Sequence, residues 1–261
     1  MKTLQMIGLR CKLVCLVLLL STFSSAYAGD CFKDKDVADC RVKAEQGLAK
    51  AQYYLGVMLD NGLGVAQDYK EAVKWTRLAA EQGNADAQYY LGVAYRTGEG
   101  VAQDYKQAIK WYGLAAEQGE ADAQTSLGWM YQLGKGVAQD YKQAIKWYGL
   151  AAEQGKADAQ FNLGLMYDLG LGVAQDYKQA IKRYLLAAEQ GNADAQNNLG
   201  SSYYKGVGVA QDYVMAHMYW NVAGVSGHKD AIKWRGMVEK KMTPSQIAEA
   251  QKLAREWMKK H

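Results

Sequence analysis

The chain has 261 residues, 49% of them hydrophobic, which is enough to bury a core and excludes a disordered polar chain. One proline (Pro244) against 27 glycines and 19 tyrosines, with few Val-Ile-Thr runs, argues against a strand-rich or mixed α/β enzyme. The formal charge of +4 owes three of its positive charges to Lys2, Arg10 and Lys12, so the remainder is near neutral and gives no electrostatic case for nucleic-acid binding.

Residues 1–28 read as a signal peptide. Lys2, Arg10 and Lys12 form a basic start, Leu13 to Leu20 an apolar run, and Ala26-Tyr27-Ala28 a small-x-small cleavage site. The apolar run is far shorter than the ~20 residues of a membrane span. The expectation is cleavage after Ala28, no integral span, and a periplasmic or secreted product. Cys11 and Cys15 leave with the leader. Cys31 and Cys40 remain as an even pair in an oxidising compartment, which reads as a disulfide. Nine residues along a straight helix is ~13.5 Å, whereas bridged Cα atoms lie within ~7 Å. Cys31 is therefore expected in a leading loop folded back onto Cys40. Residues 29–48 would form an N-terminal half-repeat cap, with a helix within Asp36 to Gly47.

From residue 49 to 228 the chain repeats itself every 36 residues. Leu-Gly recurs from Leu55-Gly56 through Leu91-Gly92 to Leu199-Gly200, and Gln-Asp-Tyr from Gln67-Asp68-Tyr69 to Gln211-Asp212-Tyr213. Each unit is predicted to hold two helices. In the second unit, helix A runs from about Asp86 to Thr97 with Asn84 as N-cap and Ala87, Leu91, Ala94 and Tyr95 on its apolar face. Gly98-Glu99-Gly100 ends it. Asp104 and Gln107 form a capping-box-like pair that opens helix B, whose stripe is Ala108, Trp111, Leu114 and Ala115. A mid-helix glycine costs about 1 kcal/mol against alanine, so the return of Gly92 in all five units implies a close helix approach there. Gly113 and Gly149 have no such rationale.

The pattern A-x-A-Q-x-x-L-G-x-x-Y-x-x-G-x-G-V-x-Q-D-Y-x-x-A-x-x-W-x-x-x-A-A-E-Q-G, nearly intact from Ala85 to Gly119, resembles the Sel1-like repeat, a relative of the tetratricopeptide repeat. It covers Ala49 to Gly227, with Leu59, Arg183 and Tyr219 as departures at the aromatic positions. The resemblance implies an all-α, right-handed superhelical α/α solenoid of helix-turn-helix repeats, monomeric, without catalysis or cofactor. Residues 229–261 read as C-terminal capping helices: Asp230 to Lys241, a break at Thr243-Pro244-Ser245, then an amphipathic helix from Ile247 to Lys259. This tail holds nine Lys/Arg against four Asp/Glu, read as a solvated face.

Motifs for chemistry are sparse. The three histidines, His217, His228 and His261, lack metal-ligand spacing, so no metal is expected. Each Gly-x-Gly, such as Gly62-Leu63-Gly64, recurs as a helix exit and is no phosphate loop. The Helicobacter cysteine-rich proteins share this repeat, and penicillin binding or β-lactamase activity is ascribed to some of them. Ser202-Tyr203-Tyr204-Lys205 matches their S-x-x-K string and Arg96-Thr97-Gly98 resembles K-T-G. However, Ser202 takes the register of Ala94, Met130 and Met166, a packing slot, and Thr97-Gly98 is a helix exit. Catalysis is therefore not expected.

Three helix-A slots vary while Gln88, Leu91 and Gly92 have identical equivalents throughout. One reads Tyr53, Tyr89, Thr125, Phe161, Asn197; the next Val57, Val93, Trp129, Leu165, Ser201; the third Asp60, Arg96, Gln132, Asp168, Tyr204. Spaced i, i+4, i+7, they share one side of the helix. In repeats of this kind helix A lines the concave surface. The expected function is a protein-interaction scaffold in the bacterial envelope, binding another protein or a peptide segment through Tyr53, Tyr89, Val93, Arg96, Trp129, Gln132, Phe161, Asp168 and Tyr204. The alternatives are the penicillin-interacting enzyme, a host-interaction or virulence factor, and an adhesin for glycan or peptidoglycan.

Overall fold

The computed structural model describes residue 31 and residues 36–261; the expected signal peptide, residues 1–28, lies outside the described residues. All regular structure among the described residues is α-helical. The chain divides into two compact units, one ending at Gln118 and the other running from Gly119 to His261. The first holds α1 (Val37–Glu45), α2 (Ala49–Asn61), α3 (Tyr69–Glu81), α4 (Ala85–Thr97) and α5 (Tyr105–Glu117). The second holds α6 (Ala121–Leu133), α7 (Tyr141–Glu153), α8 (Ala157–Leu169), α9 (Tyr177–Glu189), α10 (Ala193–Lys205), α11 (Tyr213–Val225), α12 (Lys229–Glu239) and α13 (Pro244–Lys260). Each unit is a helical solenoid in which consecutive helices pair, with α2, α4, α6, α8 and α10 as the A helices and the following element as B.

Local chemistry explains the uniform elements. Every B helix starts at an aspartate, such as Asp104, whose carboxylate accepts the N–H groups of Lys106 and Gln107. The backbone N–H of Asp104 donates to the Tyr95 carbonyl at 2.9 Å. Gln107 therefore has no N-cap donor to accept, and the capping box expected at Asp104 and Gln107 forms only in half. A complete box exists at Thr243 and Gln246, which start α13 at Pro244, three residues before the expected Ile247. Every A helix ends on a left-handed glycine, Gly98 at φ 85° being one. The second glycine of the exit has a separate task at Gly100, Gly172 and Gly208. A Cβ on Gly172 would meet Tyr141 Cβ at 2.6 Å, so the turn packs directly on the start of the preceding B helix.

The core between helices centres on the Leu-Gly step. Leu91 is fully buried, and a Cβ on Gly92 would lie 2.5 Å from Tyr112 Cδ1; Gly128 meets Tyr148, and Gly164 meets Tyr184, in the same way. The close approach expected at Gly92 is thus filled by an aromatic ring. On helix B the buried stripe is Ala108, Trp111, Tyr112, Ala115 and Ala116. Leu114, expected inside, is 39% exposed, because it lies about 200° round the helix from Tyr112.

A ladder of buried glutamines ties repeats together. Gln88 Nε2 donates to the Ala80 carbonyl (3.1 Å), and its Oε1 accepts Gln118 Nε2 (2.7 Å). Gln52 is held likewise by Ala44 and Gln82 (3.1 and 2.7 Å), and Gln160 by Ala152 and Gln190 (3.3 and 2.8 Å).

At the N-terminal end Cys31 and Cys40 are bonded with Cα atoms 5.3 Å apart, Cys31 preceding α1 as the helix geometry required. Arg41 pairs with Glu71 at 2.9 Å, and the guanidinium holds that carboxyl below the usual carboxylate range. At the C-terminal end α13 buries Ala250 and Ala254, and Trp257 stands edge-on to Tyr219 at 5.4 Å. No helix among the described residues is long and apolar enough to cross a membrane.

Candidate functional site

The A helices bury their Gln, Leu and Gly positions, which fixes the rotation of each helix and turns the three variable slots to a half-buried face. In the first unit, Tyr53 touches the rings of Tyr54 (5.6 Å) and Tyr90 (6.4 Å). Burial, and a hydrogen bond to Asp60, push the Tyr90 phenol upward. Tyr89 lies against Tyr112 at 5.7 Å, and Arg96 Nε donates to the Tyr112 hydroxyl at 3.2 Å. Val93 lies between these two slots, half-buried.

The second unit uses the same construction. The Tyr148 hydroxyl donates to Gln132 Oε1 at 2.7 Å, and the Tyr184 hydroxyl to Asp168 Oδ2 at 3.1 Å. Phe161 rests on Tyr184 at 5.9 Å, while Trp129 packs on the core around Tyr148 and Leu163. Desolvation raises the phenols of Tyr148 and Tyr184, so they stay neutral donors. Tyr204 contacts Tyr213 (5.5 Å) and Trp220 (5.7 Å), and its hydroxyl accepts Lys241 Nζ at 2.6 Å. Lys241, read as part of a solvated basic face, thus serves the aromatic cluster.

Tyr89 and Phe161 of the first slot and Arg96, Gln132, Asp168 and Tyr204 of the third therefore do double duty: each contacts a helix-B ring and keeps a side toward solvent. The middle slot (Val93, Trp129, Leu165, Ser201) makes no hydrogen bond to that ring. Sequence reasoning missed Tyr112, Tyr148 and Tyr184, which organise the face in the second, third and fourth repeats; Thr76 and Trp220 hold the same register in the first and fifth. The signal of the three tyrosines was present, since an aromatic directly follows the tryptophan slot in these units.

Family comparison completes this picture. The model of the Sel1 repeat matches residues 49–84, 85–120, 121–156, 157–192 and 193–224. The chain belongs to the Sel1 repeat family. It is similar to c5321, a protective antigen present in uropathogenic Escherichia coli strains and displaying an SLR fold, with 41% identity and a TM-score of 0.82 over 86% of this chain. That alignment spans 48% of c5321, about half its length. It is also similar to a Sel1 repeat protein from Oxalobacter formigenes, with 36% identity and a TM-score of 0.69, covering 80% of this chain and 87% of that one. No curated protein matches the chain.

The Sel1 repeat is a non-catalytic scaffold architecture of the kind used to hold proteins together. Ser202 and Lys205 border a shallow cavity of about 500 Å³ together with Asp168 and Asn198. Ser202 is half-buried, less enclosed than Met130 or Met166 in its register, and its Oγ donates to the Asn198 carbonyl at 3.0 Å. Thr97 Oγ donates to the Val93 carbonyl at 3.1 Å as part of a helix exit. No group of three His, Cys, Asp or Glu side chains fit for a metal exists among the described residues. His217 pairs with Glu239 (2.8 Å), and His228 caps α12.

Proposed function

We propose that this Sel1 protein is an exported scaffold that holds a segment of a partner protein against its helix-A face. Export follows from the leader, with cleavage after Ala28. The contact residues are Tyr53, Tyr89, Val93 and Arg96 in the first unit and Trp129, Gln132, Phe161, Asp168 and Tyr204 in the second. The observation that carries the reading is a contrast along one helix. Gln88, Leu91 and Gly92 are identical in every repeat and buried, whereas the slots beside them vary in chemistry along the chain and keep a solvent-facing side. Aromatic side chains so presented give large contact area with few torsions to freeze.

The test is a crosslinking capture from the native envelope with wild type and a Tyr89→Ala/Trp129→Ala variant. Because Tyr89 also packs on Tyr112, the variant must first show wild-type helicity. Loss of a specific captured protein supports the reading; unchanged capture overturns it.

A further inference from the structure

The glutamine ladder is left open at its last rung. In four repeats the helix-A glutamine Oε1 accepts a carboxamide N–H from the glutamine 30 residues on, Gln154 to Gln124 at 2.8 Å completing the set. Gln196 is held in the same orientation, its Nε2 donating to the Ala188 carbonyl at 3.1 Å. Residue 226, however, is serine. Gln196 is only 3% exposed, and its Oε1 has no hydrogen-bond partner among the described residues. A buried acceptor of this kind is costly unless something donates to it.

What stands where the next glutamine side chain would lie is a cavity of about 240 Å³. Gln196 lines it with Val222, Val225 and Ser226 from the end of α11, and Trp257 and Met258 from α13. One water needs only about 10–15 Å³, so the space suits a side chain. Two apolar residues at this site face solvent: Val225 is 68% and Met258 39% exposed.

We propose that this cavity is a binding site for the side chain of a glutamine in a partner peptide. The carboxamide donates to Gln196 Oε1 as Gln82, Gln118, Gln154 and Gln190 do within the chain. An apolar neighbour of that glutamine covers Val225, Met258 and the Trp257 ring. A neutral amide is the donor the chain itself uses at its four closed rungs, and it meets Gln196 Oε1 without burying a charge on a lining that mixes Val222, Val225 and Trp257 with Glu189 and His261. The site lies apart from the helix-A slots and shares with the scaffold reading only that the ligand is a peptide.

The probe is Ac-Leu-Gln-Leu-NHCH₃, capped so that the glutamine is its sole primary amide, titrated into the ¹⁵N-labelled protein. Saturating shifts of the Gln196 side-chain amide and the Trp257 indole are expected, with affinity at least tenfold weaker for the peptides carrying Glu or norleucine instead. Ser226→Gln installs the chain's own donor. It should abolish the shifts while holding or raising Tm. Gln196→Met, which removes the acceptor and keeps the volume, should abolish them as well. The Tyr89→Ala/Trp129→Ala variant should bind as wild type, which separates failure here from failure of the helix-A site. Free L-glutamine binding as tightly as the peptide would reassign the cavity to small amides and overturn the proposal. So would the absence of shifts with the peptide, shifts that survive both substitutions, or equal binding of the Glu peptide.

Discussion

A methyl group on Gly92 would collide with the ring of Tyr112, whereas one on Gly113 meets no heavy atom within 4 Å. Two alanine substitutions in adjoining helices should therefore act in opposite directions. Gly92→Ala should lower the urea unfolding free energy by about 1–3 kcal/mol through overpacking. Gly113→Ala should raise it by about 0.5–1 kcal/mol, as should Gly149→Ala, which is equally open. If both classes destabilise, the ring packing described for Gly92 is not what separates them. The recurrence of Gly92 against its helix cost made its role legible in the sequence. The identity of what fills the space was not, because Tyr112 follows Trp111 and only one of two adjacent aromatics can be placed by periodicity alone. Leu114 was misplaced for a related reason: an apolar residue at helical spacing from Trp111 looks internal until the true centre of the stripe, Tyr112, is known.

Helix caps vary more than the helices they start. Asn84 and Asn192 accept the N–H of the third residue of α4 and α10, whereas α6 begins at Glu120, whose carboxylate does the same while burial raises its pKa. Glu120→Asn keeps the cap and removes the partly desolvated charge, and should gain about 0.5–1 kcal/mol in thermal or urea unfolding at neutral pH. At α3 the electrostatics run the other way. Glu71 is held below its ordinary value of 4.5 by Arg41, so the pair contributes stability above that pH. The contribution is lost as pH falls through the lowered value. The stability difference between wild type and Glu71→Gln should be constant above about pH 5 and shrink on further acidification; a difference independent of pH down to about 3 would show the pair is not what holds α1 to α3. Helix positions were legible to within a residue at most ends, since Asp caps and Gly exits are local codes. The half-formed box at Asp104 was not, because its missing acceptor is supplied by Tyr95, nine residues back across a turn.

Arrays of this kind are held by neighbour-to-neighbour contacts, so damage at one end stays near that end. The Cys31–Cys40 bond closes a short loop, and its reduction should remove about 2–3 kcal/mol from the terminal helices. Amide exchange should then speed up in α1 and α2, with α9 to α13 unchanged; uniform loss along the chain would mean the molecule unfolds as one cooperative body. The repeat count, the paired helices and the bonded cysteines are all legible in the amino-acid sequence, because a 36-residue period states the same pattern five times over. The cavity beside Gln196 is not. Ser226 in place of the recurring glutamine is visible in the sequence, yet it carries no meaning until that glutamine is known to serve a residue 30 positions earlier.

That ladder also bears on how such a chain can change length. Each closed rung is completed within its own unit, by the glutamine 30 residues on, and reaches back to the preceding element through a backbone carbonyl, as Gln88 does to Ala80. An in-frame duplication or deletion of one interior unit would leave every remaining rung with its donor. Growth by copying is therefore nearly neutral in hydrogen-bond terms, and a lineage can lengthen or shorten this molecule without rebuilding any rung.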